Sequence, residues 1–530
     1  MRIMTKWFLI SVIGIGWFAC TEKEKTDLTI NNIIPKPVSV VASGSVYELT
    51  EKTKIYFDES DSDLAKSAIY LQNKMTHATG FKLEVESVRK KPSKGIYLST
   101  SGDAQLGEEG HEIEISEKLV SINAYAAAGV FRGIQTLRQL FPNEIDAGTK
   151  QEVSWTIGTG TIKDYPRFEM RSSMLDVSRH FFSVDDVKRY IDLIAGLKMN
   201  YMHLHLTDDQ GWRIEIKSWP NLTIHGGTTE VGGGAGGFYT QEEYKEIVDY
   251  ASDRFITVIP EIDVPSHTFA ALASYAELNC GNKYPEKIES TGEKLGPHPY
   301  TGVEVGFCSL CTDKEMVYQF LDEVVEELAA MTPGPYIHLG GDESLVTPLD
   351  DYIKFFERAQ KIVAKHGKTM IGWEEISHVE LDESAVIQYW DTRVETINEG
   401  AKQGNQIIVS PAAKTYIDMK YDSASRIGNQ WAGLIEVDAG YDWDPEQVNP
   451  VITKNNILGI ESPLWTEYVE NMDDIEYLMF PRIMGYAEIA WTPQELRNWD
   501  EYKVRLGNQA SRLKYMHIDY YPSSKVPWAQ

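Results

Sequence analysis

The chain has 530 residues, 42% of them hydrophobic and 25% charged, and a formal net charge of -28 at pH 7. That length is too great for one small core, so two or three domains are expected, and so acidic a balance argues against a nucleic-acid partner, because no basic face could easily survive it. Many of the 13 Trp and 28 Tyr residues fall near Gly, Pro or carboxylates rather than inside periodic runs, a hint of stacking on flat ligand faces, although the core is the commoner place for a tryptophan.

Arg2 and Lys6 form a charged start, and Trp7 to Ala19 is an apolar stretch too short to span a bilayer, the pattern of an export signal. It ends at Phe18-Ala19-Cys20 and gives way to Thr21-Glu22-Lys23-Glu24-Lys25. A cysteine placed directly after a small residue here resembles a bacterial lipoprotein cleavage site, although Trp17 and Phe18 depart from the usual pattern ahead of it. The expectation is a signal peptide over 1–19, a lipid on Cys20 and a polar tether over 20–27. The protein would then be exported to the bacterial cell envelope, periplasmic or at the cell surface, and would meet membrane only through the lipid; ordinary secretion is the alternative. Cys280, Cys308 and Cys311 remain, enough for one bridge and one thiol left over. An exported protein can hold a disulfide, and the pairing expected is Cys280 with Cys311. The spacing of Cys308 and Cys311 is a weak signal for zinc or redox work on its own, and no metal or cofactor is expected.

Residues 28–160 mix short strands (Lys54 to Asp58, Gly95 to Ser99, Glu112 to Ser116, Leu119 to Asn123) with helices over Ser62 to Thr76 and Ala126 to Leu140. That is a small α+β domain without clustered chemistry. From Phe168 onward strand and helix alternate. Strands are expected at Phe168–Leu175, Tyr201–Leu206, Thr257–Glu261, Tyr336–Gly340, Met370–Trp373, Val386–Trp390, Ile407–Ser410 and Ile457–Glu461. Helices are expected at Val184–Leu197, Gln241–Arg254, Asp313–Ala330, Tyr352–His366, Val394–Gln403 and, after the last strand, Asp474–Trp491. Eight such units predict a (β/α)8 TIM barrel over 161–498, with a C-terminal helix and tail over 499–530 packed on it. An open doubly wound sheet is the alternative, but no glycine-rich dinucleotide loop follows the first strand.

A barrel of this kind carries its site at the C-terminal ends of its strands, and that is where the polar and aromatic residues crowd. The strand ends run into Asp176-Val177-Ser178-Arg179-His180, Thr207-Asp208-Asp209-Gln210-Gly211-Trp212, Pro260 to His267, His338-Leu339-Gly340-Gly341-Asp342-Glu343, Trp373-Glu374-Glu375, Trp390-Asp391 and Trp465-Thr466-Glu467. On the fourth strand Tyr336, His338, Gly340 and Asp342 share a face. Asp342 is therefore expected to point inward, with Glu343 reaching the site from the turn beyond. Two carboxylates that diverge in this way are poorly placed to flank one bond as acid and nucleophile.

These residues resemble family 20 of the glycoside hydrolases, the β-N-acetylhexosaminidases, from about residue 30 to the C-terminus. The motif His338-x-Gly340-Gly341-Asp342-Glu343 is highly specific, and Asp176 to His180, His203 to Gln210 and Gly372-Trp373-Glu374-Glu375 support it independently. The resemblance implies an exo-acting, retaining enzyme that removes terminal β-linked N-acetylglucosamine or N-acetylgalactosamine from a glycan or chitooligosaccharide. In it the substrate's own 2-acetamido oxygen is the nucleophile and an oxazoline-type intermediate forms. It implies Glu343 as the proton donor and then the base. It implies Asp342 as the carboxylate that holds the acetamido N–H and raises the pKa of Glu343, and Tyr416 as the donor to the acetamido oxygen. Arg179 and Glu467 would grip sugar hydroxyls, with Asp418 also on the substrate-binding side. Trp373, Trp390 and Trp465 would wall the sugar, and Asp208, in preference to Asp209, with His267 would stand behind the acid.

Two other classes compete. His203 and His205 form an HxH on a strand, which some barrel hydrolases use for metal, and a sugar-binding lipoprotein with a dead site would need no chemistry. The histidines read more readily as buried hydrogen-bonded residues, and the intact Asp342, Glu343 and Tyr416 set argues against a dead site. The run Gly226 to Gly237 lacks the lysine of a phosphate cradle and is expected to be a mobile loop bordering the site.

Overall fold

A computed structural model describes residues 27–284, 296–392 and 395–529. The expected signal, Cys20 and most of the tether lie outside the described residues, as does Val394. Among the described residues no helix is long and apolar enough to cross a membrane.

The first domain is a seven-stranded sheet built from β1 (Ser39–Glu48), β2 (Lys54–Asp58), β3 (Glu84–Val88), β4 (Gly95–Ser99), β5 (His111–Ile115), β6 (Leu119–Ala124) and β7 (Thr156–Asp164), in the order β1-β7-β5-β6-β4-β2-β3. The helices Leu64–Thr79 and Ala127–Leu140 close its core, with Leu71, Met75, Val130 and Ile134 packed on Ile55, Ile96 and Ile122. β7 carries the sheet past the expected boundary at residue 160. It pairs with β1 as far as Lys163 and with β5 as far as Asp164, so its backbone groups belong to the first domain.

All eight barrel strands form. They are β8 (Met170–Asp176), β9 (Tyr201–His205), then, after the small ribbon of β10 (Thr207–Asp208) and β11 (Gly211–Trp212), β12 (Thr257–Glu261), β13 (Tyr336–His338), β14 (Thr369–Trp373), β15 (Val386–Tyr389), β16 (Gln406–Val409) and β17 (Ile457–Leu464). β17 pairs in parallel with β8 and closes the barrel. Its interior is layered, as parallel barrels are. Met170, Ile259, Ile371, Val386, Ile408 and Leu458 fill the bottom. Ser172, His203, Glu261, His338, Gln388 and Glu461 form a buried polar layer, and Met174, Trp373, Tyr416 and Trp465 pack above it. The outer helices start where the sequence provides caps: Ser183 with Asp186 and Thr240 with Glu243 form capping boxes for Val184–Gly196 and Gln241–Ser252.

Three expectations need correction. β13 stops at His338, because Gly340 and Gly341 turn the backbone into left-handed space. The stretch Asp474–Trp491 is two helices, Met472–Met479 and Arg482–Trp491, since Pro481 has no N–H to continue the first. The C-terminal segment is also two helices, Trp499–Gly507 and Ala510–Tyr515, and it packs on both domains. Arg512 pairs with Asp146, and Asn143 donates to the Asn508 carbonyl at 3.0 Å.

Two carboxylates of the first domain plug into the barrel floor. Glu109 accepts from Arg171 at 2.5 Å and Asn200 at 2.9 Å. Asp164 accepts from Lys198 Nζ at 2.6 Å and from the indole N–H of Trp491 at 2.9 Å. Lys198 is wholly buried, and burial pulls its pKa down. Replacing Asp164 by Ala would strand that ammonium without a counter-ion, at a cost of ~3–5 kcal/mol. Urea unfolding of Asp164→Ala should show a loss of that order, and Lys198→Met added to it should recover part. A single variant as stable as wild type would contradict the clasp.

Candidate active site

The carboxyl ends of the barrel strands open on a cleft of about 380 Å3. Arg179, Asp342, Glu343, Trp390, Tyr416, Trp465 and Glu467 line it, as expected, together with Val303, Val305, Asn429, Trp431 and Tyr468, which the strand ends do not predict. The first four come from long loops, and Tyr468 follows Glu467 in the short turn after β17. Of the loop residues only Trp431 leaves a trace in the sequence, as a tryptophan in the polar run Gly428-Asn429-Gln430.

The turn after β13 delivers the two central carboxylates. Gly340, Gly341 and Glu343 have φ of 64°, 103° and 48°. A Cβ on Gly340 would stand 1.8 Å from Asp263 Oδ1, so only glycine fits there. Ser266 Oγ donates to the Asp342 carbonyl at 2.6 Å. Both carboxylates meet the same nitrogen: His267 Nε2 lies 3.4 Å from Glu343 Oε2 and 3.8 Å from Asp342 Oδ2. Burial works against charge on His267, but Asp208, Asp263 and Asp342 outweigh it and hold its pKa well above the usual histidine value. Burial, helped by Glu343 and Glu261, pushes Asp342 up to about 6, against the pull of His267.

Asp208, rather than its neighbour, is the residue behind His267. Its carboxylate meets His267 Nδ1 at 3.2 Å, His205 Nε2 at 3.1 Å and Arg179 Nη2 at 2.6 Å. Although it is buried, these cations keep it far below the usual carboxylate range. Asp209 instead accepts the Phe269 N–H at 2.9 Å and the thiol of Cys308 at 3.1 Å, and burial beside Asp208 pushes it up to about 6. Cys308 is therefore a buried thiol facing a carboxylate, while Cys280 and Cys311 are joined as a disulfide.

Arg179 is both an ion-pair residue and a cleft residue. It lies 3.4 Å from Asp176 on its Nη1 side, and its guanidinium sits 4.7 Å over the Trp465 ring. Glu467 faces it across the cleft end, raised by burial and lowered again by Arg179. Asp418 is buried below and raised by burial and by Glu467. Tyr416 follows the short helix Ala412–Thr415 and packs 5.9 Å from Trp431 and 6.4 Å from Trp465. Trp373 forms the floor beneath rather than an open wall: it is fully buried, 5.8 Å from Trp465, and donates its indole N–H to Glu261 at 3.0 Å.

The paired histidines of β9 are committed to carboxylates. His203 lies 2.9 Å from Glu461 and 2.9 Å from Glu261, and His205 pairs with Glu261 and Asp208. His338 stacks on His203 with centroids 4.6 Å apart, and its Nδ1 accepts the Gly340 N–H. His203, His338 and Glu261 do stand close enough to chelate an ion, so a partner set exists that the sequence leaves unseen. Its three residues pair with one another and with Glu461 as an ion-pair layer under Trp373. The glycine-rich loop borders the site, but it is tied down. Arg213 donates to the carbonyls of Thr229 at 2.8 Å and Gly237 at 3.1 Å, and Val231 N–H donates to Arg179 O at 2.9 Å.

Comparison with known proteins agrees with this layout. The family model described as "Glycosyl hydrolase family 20, catalytic domain" matches residues 168–349 and 345–494, and "Glycosyl hydrolase family 20, domain 2" matches 31–165. A beta-N-acetylhexosaminidase of Cellulomonas fimi is 36% identical over 499 residues, 94% of this chain and 97% of that protein. The solved GH20 beta-N-acetylhexosaminidase from Streptomyces coelicolor A3(2) superposes with a TM-score of 0.90 at 45% identity, covering 96% of this chain and 100% of that one. A mutant Streptomyces plicatus beta-hexosaminidase in complex with product GlcNAc also gives 0.90, at 46% identity over 96% of this chain and 99% of that one.

The buried ion-pair layer sets a pH dependence of stability. Burial lowers His203 and His205, but Glu461 and Glu261 outweigh it at the first and Glu261 and Asp208 at the second, raising them from 6.5 to about 10 and about 9. A histidine raised in the folded state contributes stability that is complete below its unfolded value of 6.5 and is lost as pH climbs through the folded value. The unfolding free energy from urea titrations should therefore fall between pH 6.5 and about 10, and His203→Gln should flatten that fall. An identical slope in the variant would contradict the assignment.

Proposed function

The chain belongs to glycosyl hydrolase family 20, and from that premise we propose that it is an exo-acting, retaining β-N-acetylhexosaminidase. Its substrate would be a glycan or chitooligosaccharide ending in β-linked N-acetylglucosamine or N-acetylgalactosamine. The observation that carries the mechanism is that Asp342 and Glu343 converge on one nitrogen of His267. A retaining glycosidase with a protein nucleophile needs its two carboxyls on opposite sides of the bond, ~5–5.5 Å apart. Two neighbours on a single turn are poorly placed for that, which fits the family's use of the substrate's own acetamido group as nucleophile.

In this reading the Glu343 carboxyl gives a proton to the glycosidic oxygen as the C–O bond breaks. The 2-acetamido carbonyl oxygen bonds to the anomeric carbon from the opposite face and makes the oxazoline-type ring. Asp342, ionised above about pH 6, accepts the acetamido N–H and balances the positive charge that grows on it. The Tyr416 hydroxyl donates to the acetamido oxygen, while Trp390, Trp465 and the Trp373 floor hold the group in place. Glu343, now a carboxylate, takes a proton from water, which opens the ring with net retention. Arg179, Glu467 and Asp418 bind the hydroxyls at the closed end, and Asp208 with His267 keeps Glu343 in position.

A metal amidohydrolase gains nothing from His203 and His205, whose ring nitrogens are taken up by Glu261, Glu461 and Asp208. We also propose export with a lipid on Cys20. That reading rests on Arg2, Lys6, the apolar stretch to Ala19 and the cysteine that follows. In a bacterial host the wild-type chain should fractionate with membranes and Cys20→Ser should be released; equal fractionation would sink the anchor.

Hydrolysis of an aryl β-N-acetylglucosaminide by wild type and Glu343→Gln tests the catalytic reading. Wild type should cleave it and the variant should lose ~10²–10⁴-fold in rate, the usual worth of a general acid. A thiazoline mimic of the intermediate should inhibit, and an aryl glucoside lacking the acetamido group should be inert. No cleavage by wild type, or an undamaged variant, would refute the proposal.

A further inference from the structure

Behind the Trp390 wall stand two carboxyls that the reaction above does not use. β14 ends at Trp373, and the turn after it, Glu374–His378, begins with Glu374 and Glu375. Glu374 Oε2 accepts the peptide N–H groups of Trp390 and Asp391, each at 3.2 Å. Glu375 Oε2 accepts the indole N–H of Trp390 at 3.1 Å. Adjacent residues thus hold one tryptophan by its backbone and by the tip of its ring. Trp390 in turn packs edge-on against Trp431, with centroids 6.0 Å apart, and both rings line the cleft.

We propose that Glu375 is a positioning residue that holds the indole of Trp390 as a fixed wall of the pocket for the acetamido nucleophile. Its bond to the indole N–H at 3.1 Å keeps the ring from turning out of the cleft, while Glu374 anchors the peptide that carries the ring. The inference rests on the proposed reaction, in which Trp390 walls the acetamido group, and goes beyond it by assigning a role to a group outside the cleft.

What this role requires of residue 375 is an acceptor, not a charge. Burial and the nearby Asp342 carboxylate push Glu375 up to about 8, and burial beside Glu375 pushes Glu374 up to about 9. A protonated carboxyl and a glutamine present an equivalent carbonyl oxygen to the indole N–H.

The test compares wild type, Glu375→Ala, Glu375→Gln and Glu343→Gln on an aryl β-N-acetylglucosaminide, with thiazoline inhibition measured alongside. Misplacing a catalytic group by about 1 Å can cost ~10²-fold, so kcat/KM of Glu375→Ala should fall by up to that factor. Its thiazoline affinity should weaken as well, because the wall loses its tether. Glu375→Gln should recover most of both. A purely structural role would lower the melting temperature of Glu375→Ala and leave kcat and thiazoline affinity of the folded enzyme unchanged; that result overturns the inference. So does a Glu375→Gln variant as impaired as Glu375→Ala. If Glu375→Ala does not fold, Trp390→Phe removes the donor while keeping a ring, and unaltered thiazoline binding by it would also refute the tether. Glu343→Gln separates the two claims. An active Glu343→Gln removes the acid assignment, whereas an inactive one beside a fully active Glu375→Ala removes the positioning role alone.

Discussion

The site depends on one buried carboxylate. Asp208 is held between Arg179 at 2.6 Å, His205 at 3.1 Å and His267 at 3.2 Å, and it stays ionised because three cationic groups offset its desolvation. Through Arg179 it reaches the closed end of the cleft, and through His267 it reaches Glu343. Were Asp208 neutral, Arg179 would keep only the 3.4 Å contact to Asp176 and His267 would lose its main reason to carry charge. The catalytic turn would then face an uncompensated group of carboxylates. The same balance explains why Asp342 and Asp209, each beside another carboxylate, rise to about 6 while Asp208 does not.

This arrangement also shows how a barrel can hold a polar interior. Glu261 sits in the middle layer with His203, His205 and the indole N–H of Trp373 around it. The aromatic floor of the cleft therefore stands on an ion-pair layer, which in turn lies on an apolar plug. The polar layer fixes the Trp373 ring by a hydrogen bond, where packing alone would leave it free to tilt. Glu374 and Glu375 do the equivalent for Trp390 from outside the barrel. In both cases a carboxyl outside the cleft orients a ring that a sugar would meet.

The parts legible in sequence are those with strong local signals. Seven of the eight barrel strands run into glycine, aromatics or carboxylates, and Asp342-Glu343 and Arg179 follow from their places at those ends, whereas Tyr416 came only from the family resemblance. Strands with weak local signals were not legible. β1 and β7 are diluted by Gly44, Gly158 and Gly160, and β3 reads Glu84-Val85-Glu86 on a sheet edge, so none shows a clean alternation. Loop residues such as Val303 and Trp431 reach the cleft only through tertiary packing. Contacts between distant residues were equally hidden: Asp164 finds Lys198, and Glu375 finds Trp390, by folding rather than by spacing. Asp208 and Asp209 both approach His267 Nδ1, at 3.2 Å and 3.9 Å, and the shorter contact belongs to the one that Arg179 and His205 also pair with.

The central claim is that the nucleophile belongs to the substrate and that Asp342 and Glu343 serve it from one side. The most direct measurement is kcat for a series of aryl 2-acylamido-glucosides in which the acetyl methyl is fluorinated stepwise. If the carbonyl oxygen attacks the anomeric carbon, each fluorine withdraws electron density from it, and the rate should fall steeply along the series. A rate indifferent to fluorination would mean that a protein carboxylate makes the bond, and would contradict substrate-assisted catalysis in this enzyme.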